Sequence, residues 1–532
     1  MGIKDLWPLV DEAAFTCKLR DFIVEHGFLK EHYGLRTVVI GIDVSSFLDG
    51  FRAADRAQGQ LHSSNATLTQ FFKLLCGLSK AGAHCIFVYD GDKRPKIKRG
   101  RQVVTNELDY LKQSRTMVEH FGYHSHMAPG EAEAEIADML KQGIVDIILS
   151  KDSDVFPLGA ASVMNLVVPR DKSKARKSWL DLEVRIYHTK SMEFSQGGFI
   201  LIALLLHNDF GNGVNGIGLS TARGLAQSGF GETLLRLYES LSPMPQRLSE
   251  ALQELNQDMA YEIQHNKRGK MGLCSPARAE ILRHSNFPTF DDLEALSTFL
   301  TPVTSSSEGL PPLLASLRLP TLPNISGIVA FSTEHFAWSP KLTLQHFHNY
   351  LWPGVIIRML SSSGQKYVAY NADNSEVLVP RLQNKFETDS KGHLYIPTFS
   401  TTVMNKDVLD FQDKDASDTI SIVFNTSFFI QLTGLNSPSA QSRRVDVPVS
   451  MIAVAINNLN KVVNLRQMIG PRSPPGQASI EAEASGSHTL HKFPLKRKQS
   501  DNLIAESSFK SFKRVKDLGV IELTDSDDDS LY

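Results

Sequence analysis

Three apolar runs close on acids, and no other feature constrains this chain as strongly. Thr37-Val38-Val39-Ile40-Gly41-Ile42 runs into Asp43, and His84-Cys85-Ile86-Phe87-Val88-Tyr89 runs into Asp90. Val145-Asp146-Ile147-Ile148-Leu149 runs into Ser150-Lys151-Asp152-Ser153-Asp154. Short apolar, β-branched runs of this kind read as buried strands. Helical spacing lies between them: Leu68, Phe71, Phe72, Leu74, Leu75 and Leu78 form a core-facing stripe over residues 67–82. Strands separated by helices predict an α/β fold with a doubly wound parallel sheet. Ligands of such sheets bind outside the carboxyl ends of the strands, where these acids stand. One strand-end aspartate reads equally well as a solvated strand end or a helix cap. Three at once point to a site.

The densest acid lies in residues 128–154. Ala128-Pro129-Gly130-Glu131-Ala132-Glu133-Ala134-Glu135 opens an amphipathic helix. Pro129 suits a helix's first turn, where its missing N–H costs nothing, and the glutamates there suit the helix dipole. Asp152 and Asp154, at i and i+2 of an extended segment, point the same way. On a regular helix Glu131 and Glu135 share a face and Glu133 points elsewhere. Carboxylates this dense repel one another unless a cation sits among them. An all-oxygen donor set favours a hard metal such as Mg²⁺.

At 532 residues and 42% hydrophobic, the chain has room for two or three domains with substantial cores. Its net charge of −2 is uninformative, but the distribution is not: basic runs stand at 93–101, 170–177 and 492–498, and an acidic run at 525–529. Lys93-Arg94-Pro95-Lys96-Ile97-Lys98-Arg99-Gly100-Arg101 directly follows Asp90. That placement predicts an anionic substrate across the acids, and a phosphate backbone supplies repeating negative charge. The run at 170–177 reads equally as a nucleic-acid-facing edge or a solubilising loop. Cys17, Cys76, Cys85 and Cys274 are widely spaced with no C-x-x-C. That argues against a disulfide framework or structural zinc and suits a reducing compartment. No apolar run of 18 residues predicts a membrane span. Met1-Gly2-Ile3-Lys4-Asp5-Leu6 lacks a signal-peptide core and a myristoylation serine or threonine.

Residues 198–210 read as an apolar helix ending at Asp209, and Gly211 to Arg223 follow. Gly216-Ile217-Gly218 before Ser220 and Thr221 is the pattern of a helix–hairpin–helix element. Its glycines let backbone N–H groups approach phosphate, and the next helix adds its dipole. Alone, the pattern is also that of a plain turn. Lys267, Arg268, Lys270 and Arg278 extend the basic character as a second duplex contact. Residues 302–325 are Ser/Pro/Leu-rich and read as a linker. A helix over 341–360 and strands at Gln365–Tyr370, Glu376–Pro380 and Thr419–Leu432 are expected beyond it. Trp338 and Trp352 are expected in the core. From about residue 433 the chain is polar and reads as mostly disordered.

In combination these motifs resemble the flap-endonuclease (XPG-type) structure-specific nuclease superfamily. The resemblance rests on IGIDVSS, VYDG, APGEAEAE, SKDSDVFPLG and LLLHNDFGNGVNGIG and covers about residues 1–300. Met1-Gly2-Ile3-Lys4-Asp5-Leu6-Trp7 is similar to that family's N-terminus, whose glycine packs beside the active site. The resemblance implies a PIN-like, resolvase-like nuclease core. It implies metal binding by Asp43, Asp90, Glu131, Glu133, Asp152, Asp154 and Asp209, with Glu135 set aside. Lys98 falls near the family's arch lysine, and the arch arginine has no clear counterpart. Flap endonucleases carry a long helical arch between the residues corresponding to Asp90 and Glu131. The short basic segment here resembles the Holliday-junction resolvase branch instead. The C-terminal helix and strands resemble the chromodomain-like module of these resolvases, with an unrelated β-domain as the alternative.

The implied function is Mg²⁺-dependent cleavage of Holliday junctions and 5′ flaps in recombination and repair, leaving 5′-phosphate and 3′-hydroxyl ends. Two metal ions roughly 3.5–4 Å apart would activate a water and stabilise the leaving oxygen. Mn²⁺ would substitute, and a K⁺ ion would sit at the hairpin. Gly2, Lys93, Arg94, Lys96, Arg99, Arg101, Gly216, Gly218, Ser220, Thr221, Lys267, Arg268 and Lys270 are the expected DNA contacts. The expected domains are 1–195 (nuclease), 196–300 (duplex binding), 301–325 (linker), 326–435 (chromodomain-like) and 436–532 (regulatory tail). In the tail, Lys492, Lys496-Arg497-Lys498 and Lys513-Arg514 suggest nuclear import. Val520, Ile521 and Leu523 before Thr524-Asp525-Ser526-Asp527-Asp528-Asp529 resemble a SUMO-interacting motif able to add a strand to a sheet edge. Partners would be branched DNA, a second copy on the junction and SUMO, with no membrane. The rival readings are a replication-type flap endonuclease and a junction-binding scaffold without catalysis.

Overall fold

The computed structural model describes residues 2–3, 5–28, 37–57, 64–95, 97–98, 101–102, 108–167, 181–209, 211–310, 323–361, 367–370, 376–379, 387–388, 394–396, 401–403, 418–435 and 442–451. Lys96, Arg99, the basic run at 170–177, the import signals and Val520–Leu523 lie outside the described residues.

The centre is a seven-stranded sheet. Its strands in chain order are β1 (Phe15–Lys18), β2 (Val39–Asp43), β3 (His84–Tyr89), β6 (His124–Met127), β7 (Ile147–Leu149), β8 (Ser162–Leu166) and β9 (Glu183–His188). The small pair β4 (Ile97–Lys98) and β5 (Arg101–Gln102) stands apart from it. The spatial order is β1-β9-β8-β7-β2-β3-β6. From β8 to β6 every pairing is parallel. Beyond β8 the sheet departs from the purely parallel expectation, because β9 and β1 pair antiparallel. An antiparallel edge on a parallel sheet is common in such folds. Neither edge strand ends in the acid signal that marked the central three.

β7, β2 and β3 are neighbours, so their carboxyl ends stand side by side at the usual spacing of about 5 Å. Alternation sorts their side chains onto two faces. Ile40, Ile42, Cys85, Phe87 and Tyr89 join one core, while Val39, Ile86 and Val88 join the other. The first core includes the helix Ser64–Ala81. The second includes the helix Ala132–Lys141 and the helices between Gln196 and Leu300.

The C-terminal module shares the first core. Its helices Ile325–Phe336, Pro340–His346 and Trp352–Ser361, with the turn Phe347–Leu351, bring Phe336 and Phe347 against Phe72 of Ser64–Ala81, and Trp352 against Phe347. Phe72 stacks on Phe347 at 6.3 Å, and Trp352 stacks on Phe429 at 5.2 Å. Trp338 and Trp352 are both buried here. The expected single helix at 341–360 is broken by a wider turn at Phe347–Leu351.

Two further expectations are corrected. The run 419–432 is a strand only over Thr419–Asn425 and then the helix Ser427–Thr433, closed by Gly434 in the left-handed conformation. A short apolar run does not distinguish the two by periodicity. Ordered structure also passes the expected boundary at 436, because Ser442–Pro448 pairs with Thr419–Asn425 in a five-stranded antiparallel sheet. Val445, Val447 and Val449 alternate into the core, a period-two signal inside a polar stretch.

Trp352 is fully buried between Phe347 and Phe429. Trp352→Ala should cost about 3–5 kcal/mol. Urea unfolding should show that loss in probes of the seven-stranded sheet as well as of the C-terminal module.

Candidate active site

Each central strand delivers its acid differently. Asp43 is the last residue of β2 and is fully buried. Its Oδ2 accepts from Ser150 Oγ at 3.0 Å, and its Oδ1 from the Ser46 N–H at 3.3 Å. Asp90 follows β3 directly. Its Oδ2 accepts from Ser45 Oγ at 2.8 Å and Arg94 Nη1 at 3.1 Å, and its Oδ1 from the Ala132 N–H at 3.0 Å. That last bond ties Asp90 to the start of the acid-bearing helix.

After β7 the chain does not stay extended. Asp152 caps a tight turn, Ser153–Val155, by accepting the Asp154 N–H at 3.1 Å. The two carboxylates are nevertheless neighbours, because both face Gly2. A Cβ on Gly2 would stand 2.2 Å from Asp152 Oδ1 and 2.6 Å from Asp154 Oδ1, and its φ of +79° favours glycine in any case. The Ile3 N–H donates to Ser153 Oγ at 2.8 Å and Trp7 Nε1 to Lys151 O at 3.2 Å. Residues 2–7 therefore clamp the acid turn.

The helix begins at Ala132, not at Pro129, and Glu131 is its N-cap in extended conformation. Pro129 lies before the cap because the turn at 128–130 packs against the loop after Asp90. Gly91 N–H donates to Gly130 O at 2.7 Å and Lys93 N–H to Pro129 O at 3.0 Å. Glu131 thus precedes the helix, and Glu133 sits buried in its first turn. Glu135 is engaged elsewhere: His126 Nε2 lies 2.9 Å from Oε1, and the Ser305 N–H donates to Oε2 at 2.7 Å. Burial pushes Glu135 up, but these hydrogen bonds outweigh it and hold the carboxyl below its usual range.

The cluster is electrostatically costly. Burial, then the charges of Asp90 and Asp152, push Asp43 up to about 7. Lys151 does not relieve it: its ammonium lies over Phe47 at 4.9 Å and Phe51 at 5.3 Å, and burial lowers it to about 8. Among the described residues no three Asp, Glu, His or Cys are drawn tightly enough to form a finished metal cage. The donors at the strand ends are carboxylate and hydroxyl oxygens, which fit a hard dication such as Mg²⁺.

Asp209 is buried in the turn after the helix Gln196–Leu205. Asn208 braces that turn by donating to Ala203 O at 2.6 Å and accepting the Gly211 N–H at 2.8 Å. Gly216 has a φ of +92°, and Gly218 caps the helix Leu219–Gln227 with Ser220 exposed. Thr221 instead points inward, where Arg278 Nη1 reaches its Oγ1 at 3.5 Å. Lys267, Arg268 and Lys270 are exposed; the Lys267 ammonium lies over Tyr261 at 5.0 Å, and the Arg268 guanidinium lies over Phe230 at 4.2 Å and donates to Ser228 O. Arg94 is held by Asp90, and Lys93 by Glu308. Lys98 and Arg101 face each other across the β4–β5 pair. Ser45, Ser46 and Ser150 are site residues that acid-hunting missed. Their signal was the hydroxyl pair after Asp43 and the serine before Lys151.

Residues 1–106 match the XPG N-terminal domain model and residues 122–209 the XPG I-region model. Flap endonuclease GEN of Drosophila melanogaster is 37% identical over 251 residues, covering 41% of this chain and 32% of that protein. Flap endonuclease GEN-like 1 of Arabidopsis thaliana is 28% identical over 233 residues, covering 38% and 36%. The chain thus spans about a third of the length of these curated relatives. The Holliday junction-resolving enzyme GEN1, solved with product DNA and Mg²⁺, superposes with a TM-score of 0.58 at 20% identity, over 88% of this chain and 99% of that one. The eukaryotic junction-resolving enzyme GEN-1 solved with cesium gives 0.60 at 21%, with the same coverage. These likenesses establish the fold.

Without divalent ions, Asp43→Asn should raise the melting temperature at pH 8. A carboxyl raised in the fold destabilises when charged, so the gain should shrink as pH falls below about 7 and Asp43 takes up a proton. Differential scanning fluorimetry across pH 5–8 checks it.

Proposed function

Because its first 209 residues carry an XPG N-terminal domain and an XPG I-region, we propose that this chain is a Mg²⁺-dependent structure-specific endonuclease. Its substrates are branched DNA, namely Holliday junctions and 5′ flaps. One observation carries the reading: Asp43, Asp90, Asp152 and Asp154 meet at adjacent strand ends, with the Glu131–Glu133 helix start tied to Asp90. Asp43, Asp90, Glu131, Glu133, Asp152, Asp154 and Asp209 would hold the metal, and Mn²⁺ would replace Mg²⁺. When bound, the metal supplies a Lewis acid and an ionised water at neutral pH.

The chain's own groups do the rest. Ser150 and Ser45 orient Asp43 and Asp90 through the bonds described above. Gly2 leaves room for Asp152 and Asp154. Lys98, on β4, and Arg101, on β5, belong to the basic segment that would draw the scissile phosphate toward the acids. The Gly216–Ser220 backbone would grip uncleaved duplex, with K⁺ between its carbonyls and phosphate. Exposed Lys267 and Lys270 would extend that grip, and Lys270→Ala should lower the salt slope of duplex binding by about 1.

Junction resolution is favoured over flap cutting alone by the segment after Asp90. The helix Asp109–His120 is anchored in the core by Ser114, Met117 and Val118. Only residues 92–108 are then left to form an arch, too few for a long helical one. Paired nicks on a four-way junction require a second copy on the DNA. Nuclear residence and SUMO binding through Val520, Ile521 and Leu523 complete the reading, as does extra DNA contact by the chromodomain-like module.

Cleavage of static four-way junctions and 5′ flaps in Mg²⁺ tests it. Asp43→Ala and Glu131→Ala should each cut activity by more than about 100-fold, beyond the 10–100-fold typical of losing an outer-shell partner. Binding without cleavage by the wild type would sink the enzymatic reading. Flap cutting without paired, symmetric junction nicks would leave a flap endonuclease.

A further inference from the structure

Residues 301–310, expected as linker, lie instead along the acid-bearing helix. Thr304 is buried. The Ser305 N–H donates to Glu135 Oε2 at 2.7 Å, and Ser306 Oγ donates to Asp138 Oδ2 at 2.5 Å. Gln142 Nε2 also reaches Ser306 Oγ. Gly130 admits Val303 at close range, since a Cβ there would stand 2.6 Å from Val303 O. Glu308 pairs with Lys93 in the loop after Asp90. The segment braces itself through the Thr304 N–H on Ser307 Oγ at 2.8 Å and the Glu308 N–H on Thr304 O at 3.1 Å.

Three parts of the site are thereby held by one short segment: the loop after Asp90, the turn before Glu131, and the helix carrying Glu133. The anchor is Glu135, only 2% exposed. A buried carboxylate is costly unless hydrogen-bonded. His126 takes one of its oxygens and the segment's backbone takes the other. The same segment continues from the helix Phe290–Leu300, whose N-terminus is fixed by a capping box between Thr289 and Asp292. Asp292 in turn lies 3.6 Å from where a Cβ on Gly211 would be, two residues past Asp209. At 1.5 Å per residue this helix is a strut of roughly 16 Å. One end abuts the Asp209 turn and the other feeds the segment on Glu135.

We propose that Val303–Glu308 is a positioning strap that holds Glu131 and Glu133 in register with the strand-end acids. Glu135 is its positioning residue, and the strap couples the acid helix to the duplex-binding region. This rests on the metal-dependent nuclease reading above.

The test uses the full chain and three perturbations. Glu135→Ala removes the anchor, Ser306→Glu sets a second carboxylate against Asp138, and a Gly/Ser replacement of residues 303–308 removes the strap's side chains. Mn²⁺ affinity is read by calorimetry, protection of residues 303–310 by limited proteolysis, and kcat and KM on a 5′ flap. All three should lose protection and bind Mn²⁺ about 10-fold or more weakly, the loss typical of outer-shell partners. Their kcat should fall while KM for DNA stays within about twofold. Glu135→Gln, which can still accept the Ser305 N–H, should retain near-wild-type affinity. If Glu135→Ala fails to fold, the other two carry the test. Unchanged Mn²⁺ affinity despite lost protection, or a change confined to KM, overturns the strap. A wild type that binds Mn²⁺ but cuts no DNA defeats the nuclease reading alone, because affinity and protection still report on the strap.

Discussion

Repulsion among carboxylates at neighbouring strand ends is the constraint on which the rest depends. Parallel pairing of β7, β2 and β3 leaves Asp90 and Asp152 close enough to Asp43 to raise its charging cost. Hydrophobic burial on both faces of the sheet outweighs that cost. Ser45, Ser46 and Ser150 supply hydrogen bonds that keep the acids oriented without neutralising them. Of the nearby cations, Lys151 turns onto aromatic rings and Arg94 pairs with Asp90. The fold thus keeps carboxylate and hydroxyl oxygens side by side at the strand ends.

Much of this was legible in residue patterns. Buried strands announced themselves as continuous β-branched runs, and their terminal acids marked the edge of the sheet that matters. The strands outside the central three were harder. β1, β6, β8 and β9 carry mixed, half-buried residues, and short mixed runs have no distinctive period. Helix starts were also shifted. Pro129 looked like a first-turn residue, yet the turn's packing against Gly91 and Lys93 moved the cap to Glu131. Tertiary contact decided that boundary.

The least legible parts were those stabilised by distant partners. Val303–Glu308 has a loop's composition, and Glu135, Asp138, Gln142 and Lys93, far away in sequence, give it a fixed place. Arg268 and Thr221 are expected as DNA contacts on charge and hydroxyl alone, which say nothing of their neighbours in the fold. Their occupation by Ser228, Phe230 and Arg278 is a matter of three-dimensional neighbours. Composition also hid the Ser442–Pro448 strand, whose valines alternate with charged residues.

The aromatic cluster of Phe72, Phe347, Trp352 and Phe429 carries a mechanical meaning. It fuses the C-terminal module to one face of the seven-stranded sheet with interior packing, and close-packed interiors transmit strain instead of yielding. The five-stranded sheet therefore cannot swing as an independent arm on a tether. Its distance and angle to the strand-end acids are set by the shared core and not by a linker.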